Sequence, residues 1–491
     1  MKTIRICILF FLMSLHLFAQ NKQEFAYVDE LEEFSATTWI LAGCQEYDRS
    51  IYKPYYSDIQ KYFGKFKSHP VMKFLKKMRD VPGDVEVISY NSLPMANYLL
   101  SIENGHLQIN QHIDLDKYFA KYDPRWTKEA FLEYVELLDD FYKKSDYTSF
   151  FKKHSKLYEK YIAIANEQLT ALISDSLFLS LYGEKLPDVK VCISPAYGVN
   201  NYSSPNVKIQ EELGFKNICY SPIVGVNSAP TKKAIGNIFP AGVFIHELSH
   251  PFTAPLFHAN KKDFLEIGRR IFPYVKDELT KVGYGARELG NEFFNEVMTI
   301  VYMQELHLHK ILVSNEISDM GFRGFVWIDE TMDFMKRFTE NRKQYPTIKE
   351  FMPLFIEHMY SVADRIDSIA KRPYIVSVSP EIGSTVSGNI DEIRIVFSEP
   401  MQDLSFTRDS PQNSIWPEDS RKGLRSLKKY GVKVDDISKF ENDTTFVLKV
   451  CVPLESGKTY GIGVDTRFFR SKANPYMPVG NEIKDVYFIA K

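Results

Sequence analysis

Apolar residues recur at three- and four-residue spacing through much of the first third of the chain. The pattern is clearest at 57–66, 71–79 and 128–144, and it predicts amphipathic helices, because positions i, i+3 and i+4 share one face. The aromatic and basic run 146–154 reads the same way, so the chain from 27 to about 184 is expected to be mostly helical. His69 and His154 fall in this stretch and read as structural or surface histidines. Between 188 and 239 the pattern changes to short β-like runs separated by Gly, Pro, Asn and Ser, which predicts a small sheet. Residues 196–202 read as a loop at its rim. Helical spacing returns at 289–306, 331–342 and 347–369, the last opening with Thr347 and Glu350 at capping-box spacing. From about 372 onward strict alternation takes over, at 392–397 and 445–450, and predicts half-buried strands.

The first residues break this pattern. Lys2 and Arg5 precede an apolar run over 6–18 that ends at Ala19, too short to span a bilayer comfortably. That reads as a cleaved signal peptide, giving three parts: 1–19, a first domain 20–371 and a second 372–491. The mature protein is expected to be exported, periplasmic or extracellular, with no membrane span. A net charge of −2 gives no reason to expect nucleic acid or an anionic membrane as partner. The cysteines show no CxxC spacing, which argues against a cysteine-bound metal. Cys192 and Cys219 lie in two β-like runs and could pair, while Cys44 and Cys451 are expected to stay apart.

Chemistry concentrates at His246-Glu247-Leu248-Ser249-His250. On a helix the two histidines stand one turn apart on one face and can bind a single Zn²⁺, with Glu247 placed to act on a metal-activated water as a base. Chance occurrence of this pentapeptide in a chain of such length is on the order of 1%. Val243, Phe244, Ile245 and Leu248 give the helix an apolar surface to bury. Pro251, directly after His250, predicts that the helix ends or kinks there.

Such a site needs a third protein ligand. The segment 289–306 is apolar on nearly every side, yet holds Glu292 and Glu296 one turn apart. A bare carboxylate in such a helix is costly unless paired or metal-bound, so either glutamate is a candidate ligand.

Asn291-Glu292-Phe293-Phe294-Asn295-Glu296 resembles the second motif of the gluzincins, the thermolysin-like zinc peptidases. The resemblance implies Glu292 as third zinc ligand and Glu296 as the acceptor that orients a ligating histidine, with the exchange of these two roles left open. Further segments resemble an uncharacterised family of secreted bacterial proteins known only as a domain of unknown function. These are Leu41-Ala42-Gly43, Glu46-Tyr47, Tyr62-Phe63, Lys67-Ser68-His69, Phe150-Phe151-Lys152-Lys153-His154, Pro255 and Tyr284-Gly285. The C-terminal quarter, with Pro373 at its start and Phe397-Ser398-Glu399-Pro400-Met401, is similar to the Ig-like modules of bacterial surface and S-layer proteins. The expected architecture is an α+β zincin-like domain, largely helical with a small sheet before the active helix, followed by a β-sandwich. The expected function is zinc-dependent hydrolysis of a peptide or protein, with Glu247 as base. Tyr284 is the candidate donor to the developing oxyanion, with His307, His309 and His358 behind it. The competing expectation is a non-catalytic surface or binding protein with a structural zinc site.

Overall fold

The computed structural model describes residues 24–44, 47, 51–79, 92–110, 113–186, 188–202, 210, 221–230, 241–388, 390–402, 415–416, 425–426, 438–452, 455–464, 469–480 and 485–491. The signal-peptide reading of 1–19, and Cys219, lie outside the described residues. The protein is largely helical with small sheets. It divides into two compact units, Met1–Leu256 with Met298–Leu308, and Phe257–Val297 with His309–Lys491. The division falls inside the helices Ala241–Ala259 and Ala286–Glu305, so each of these helices belongs to both units.

The first unit is built on aromatic side chains. Its helix Glu30–Leu41 opens at Asp29, whose Oδ1 accepts from the backbone N–H of Leu31 and Glu32 at 2.9 and 3.0 Å, satisfying donors that a helix start leaves unpaired. Phe34 on this helix packs against Phe141 at 5.4 Å and Tyr147 at 4.9 Å between ring centroids, and Phe63 stacks on Tyr147 at 5.4 Å. Each such pair contributes roughly 0.5–1.5 kcal/mol beyond its buried area. His69 and His154 are structural members of this core. His69 Nε2 lies 3.0 Å from Asp140 Oδ2, and His154 Nε2 lies 3.0 Å from Asp58 Oδ2.

The strands of this unit are short. β1 (Ala26–Tyr27) is followed by a hairpin, β2 (Leu100–Glu103) and β3 (His106–Ile109), inside the stretch expected to be helical. Asn104 and Gly105 turn it with φ of 52° and 78°, the two-residue geometry that Asn-Gly favours. The predicted sheet is present as β4 (Val191–Ser194), β5 (Asn201–Tyr202) and β6 (Ile223–Gly225), and β1 joins it in the order β1-β4-β6-β5. Cys192 is a buried free thiol in β4. The expected loop rim is instead partly core: Tyr197 is fully buried and its hydroxyl donates to Glu32 Oε2 at 2.5 Å.

In the second unit the helices Lys261–Leu279, Lys310–Arg323, Ile328–Thr339 and Ile348–Asp364 precede the strands. The capping box at Thr347 and Glu350 forms as its spacing predicts. Strands β7 (Ile375–Ser379), β8 (Thr385–Val386), β9 (Ile390–Phe397), β10 (Ile415–Trp416), β11 (Arg425–Ser426), β12 (Ser438–Asn442), β13 (Thr445–Val452), β14 (Thr459–Val464) and β15 (Asp485–Ala490) form two sheets. One runs β12-β13-β9-β7, the other β10-β14-β15-β8 with β11 beside β14. They enclose one core containing Ile393, Ile395, Phe397, Phe446 and Phe488, the alternate residues that the period-two pattern selects. Among the described residues, no helix is long and apolar enough to cross a membrane.

Candidate metal centre

The His-Glu motif lies on the helix Ala241–Ala259, here the motif helix. Phe244, Ile245 and Leu248 are buried, as the apolar pattern requires. The expected end at Pro251 is corrected: the helix continues through both Pro251 and Pro255 to Ala259. A proline inside a helix removes one donor and costs about 3 kcal/mol. Burial on both flanks of the prolines offsets that cost. Phe252 packs on Phe178 at 5.1 Å and on Tyr182 at 4.8 Å, and Phe257 packs on Phe264 at 5.3 Å. Separately, Ser249 and Thr253 donate their hydroxyls to Ile245 O at 2.7 Å and Ser249 O at 3.2 Å, one turn earlier on the same helix.

With the helix continuous, the histidines meet as the four-residue spacing predicts. His246 Nε2 and His250 Nε2 are 3.0 Å apart, and the rings cross edge to face, 4.6 Å between centroids at 88°. Two imidazole nitrogens turned towards one point suit a shared cation. Zn–N bonds of about 2.0–2.1 Å in a tetrahedral arrangement would set them roughly 3.3 Å apart.

The third member arrives on the helix Ala286–Glu305, here the glutamate helix. Ligand atoms of His246, His250 and Glu292 all lie within 4.8 Å of one another, and the three side chains are half-buried. Among the described residues this is the group of His, Cys, Asp and Glu that could hold a metal ion. Asn291 Nδ2 donates to Glu292 Oε1 at 3.3 Å. Two imidazoles and one carboxylate fit a divalent transition ion with a coordination position to spare.

Packing on each side sets the glutamate helix. Towards its start, a Cβ on Gly268 would stand 2.3 Å from Ala286 O, so only glycine permits that close approach. Phe294 meets Phe264 at 5.9 Å. Towards its end, Tyr302 donates to Leu172 O at 2.8 Å and accepts from Ser174 N–H at 2.9 Å. The Tyr302 ring rests 4.8 Å from Phe178, the ring that also receives Phe252 of the motif helix.

The remaining candidates are placed as follows. Glu247 is 8% exposed and leaves the helix about 100° around from His246. Glu296 is 3% exposed and is outside the cluster, its Oε1 3.7 Å from Arg323 Nη1. Tyr284 stands ahead of the glutamate helix with its ring 6.2 Å from that of Phe325. His358 stacks on Phe334 at 4.3 Å and has Nε2 3.0 Å from Thr331 Oγ1. His309 caps the helix Lys310–Arg323, accepting from Ile311 N–H at 3.3 Å. His307 is an exposed residue with φ of 56°. Arg323 was not singled out by sequence reasoning, and no local motif marks it.

The helical scaffold and this site define a protein with a candidate His-His-Glu metal centre. Residues 44–358 match the family described as "Domain of unknown function (DUF4932)", well over half of the chain, and the chain belongs to that family. No curated protein matches it. Among solved structures it is similar to the surface layer protein SbsC, domains 1-6, at 14% identity over 86% of this chain, with a TM-score of 0.16. The chain covers 46% of that protein's length. It is also similar to the N-terminal part of the bacterial S-layer protein SbsC, at 13% identity over 86% of this chain and 79% of that one, again with a TM-score of 0.16.

Proposed function

We propose that this protein is an exported zinc metallopeptidase of gluzincin type, with a zincin-like domain followed by an Ig-like β-sandwich. The observation that carries the reading is the convergence of His246, His250 and Glu292, from two helices, on one point. Zinc suits this donor set, and when bound it polarises a scissile carbonyl and acidifies the attacking water. The chain's own residues do the rest. His246, His250 and Glu292 hold the ion. Glu247 takes the proton of the attacking water and passes it to the leaving amine. Tyr284 is assigned as donor to the developing oxyanion. The substrate class is a peptide or protein.

The decisive experiment is metal analysis of the purified protein together with turnover on a mixed peptide library. About one zinc per chain is expected, with cleavage that a chelator abolishes and added zinc restores. Stoichiometric zinc without cleavage would instead identify a structural site.

A further inference from the structure

Glu296 poses a charge problem that the metal ligands do not solve. It is buried on a helix whose neighbouring positions Phe293, Phe294, Val297 and Ile300 are also buried. A carboxylate in such surroundings needs a compensating donor or cation. Arg323, the last residue of the helix Lys310–Arg323, brings Nη1 to 3.7 Å from Glu296 Oε1. Its Nη2 is held at 2.6 Å by Asp319 Oδ2, one turn earlier.

The end of that helix is clamped from the C-terminal strands' side of the sequence. A Cβ on Gly321 would stand 2.4 Å from ring carbons of Tyr476, so the ring lies directly on the helix backbone. Tyr476 donates its hydroxyl to Asp329 Oδ2 at 2.8 Å and meets Phe322 edge-on at 5.5 Å. Arg470 lies over the Phe322 ring at 5.3 Å and donates to Tyr476 O at 2.9 Å. Gly324 then ends the helix with φ of 119°, a conformation that favours glycine.

We propose that Arg323 is a positioning residue for the metal centre. Its guanidinium holds Glu296, and through Glu296 it fixes the rotation of the helix that presents Glu292 one turn earlier. Tyr476, seated on Gly321, holds Arg323 at that distance, which gives the C-terminal segment a part in metal binding. The inference rests on the reading of His246, His250 and Glu292 as ligands.

The test uses the full chain, with Zn²⁺ affinity measured by chelator competition and the visible spectrum of bound Co²⁺ as a report on ligand geometry. Arg323→Met is expected to weaken Zn²⁺ binding by about 10- to 100-fold, the range for partners that orient a ligand, and to alter the Co²⁺ spectrum. Arg323→Lys keeps the charge and should recover most of the affinity. If Arg323→Met folds poorly, the double variant Arg323→Met with Glu296→Gln removes both charges and allows the same measurement. Its loss should match that of Glu296→Gln alone, because the residues act as a pair. Wild-type affinity and spectrum in Arg323→Met, or a loss in the double variant well beyond that of Glu296→Gln alone, overturn the role of Arg323. A wild-type chain that binds neither ion overturns the metal reading itself, and this inference with it.

Discussion

Glu33 and Glu292 both sit on helices rich in buried apolar residues, in different surroundings. Glu33 is fully buried, and its carboxyl receives the Tyr55 hydroxyl at 2.5 Å, the Ala196 N–H at 3.2 Å and the Ser194 hydroxyl. Beside it, Glu32 receives Asn97 Nδ2 at 2.7 Å and the Tyr197 hydroxyl at 2.5 Å. Glu292 is only half-buried and shares its space with two imidazole nitrogens. Neutral donors make the first carboxyl a structural acceptor, since each O–H or N–H replaces a hydrogen bond to water. Each neutral imidazole brings one lone pair as well as one N–H, and a cation lets two such lone pairs and a carboxylate share one space. The density of acidic residues does not separate the two regions. The chemistry of their neighbours does.

The largest expected effect tests that distinction on the metal side. Glu292→Gln should lose Zn²⁺ affinity by more than the roughly 100-fold of an outer-partner change, and any turnover with it. Glu247→Gln should keep zinc near one per chain while turnover falls by about 10²- to 10⁴-fold. Glu33→Gln should leave zinc content unchanged. Zinc loss in Glu33→Gln as large as in Glu292→Gln would break the comparison.

A smaller effect appears as opposite responses to pH. Burial pushes the Glu33 carboxyl from 4.5 up to about 7, with the Ser194, Tyr55 and Ala196 donors acting against it. Burial pushes Glu32 up to about 8. A raised folded-state value means that the folded protein binds protons more tightly than the unfolded chain. The associated stability is therefore fully present below about pH 4.5 and is lost as pH rises through about 7 to 8. Metal affinity runs the other way, because the histidines must be neutral to ligate. Urea midpoints of metal-free protein should fall between pH 5 and 8.5, and Glu33→Gln should flatten that slope. An unchanged slope in Glu33→Gln would show that the buried glutamate holds no extra proton.

The metal side of this comparison was far more legible in the sequence than the structural side. Histidines four apart on a helix share one face, so local spacing carried much of the geometry of His246 and His250. Glu292 needed one long-range fact, the approach of a second helix, and its setting among apolar residues pointed to it. Pro251 did not end the helix because a local propensity met a helix buried through Phe252 and Phe257, and tertiary packing outweighs about 3 kcal/mol. The Asn104-Gly105 hairpin did have a local signal, which the surrounding helical spacing obscured. Nothing local marks the partners of Glu33. Tyr55, Ser194 and Ala196 lie 22 to 163 residues away, and only the assembled core brings them to one carboxyl. Arg323 escaped for the same reason.

The smallest effect isolates one of those partners. Tyr55 donates to Glu33 Oε2 and its oxygen also lies 2.8 Å from the Tyr158 hydroxyl, so Tyr55→Phe removes one oxygen from the network and leaves the ring contacts with Phe150 and His154 in place. A single buried hydrogen bond contributes about 0.5–1.5 kcal/mol, and leaving an acceptor short of a donor costs about 1–3. A loss of about 1–2 kcal/mol in urea unfolding is therefore expected, with zinc content unaltered. The pH response should also move. Tyr55 is one of the donors that lower the Glu33 value, so without it the folded carboxyl should hold its proton to a pH above about 7. The decline in stability would then extend to higher pH in Tyr55→Phe than in wild type, and would be shallower in Glu33→Gln, where Glu32 alone still contributes. A decline that stays in place after Tyr55→Phe would mean that Ser194 and Ala196 alone set the proton on Glu33.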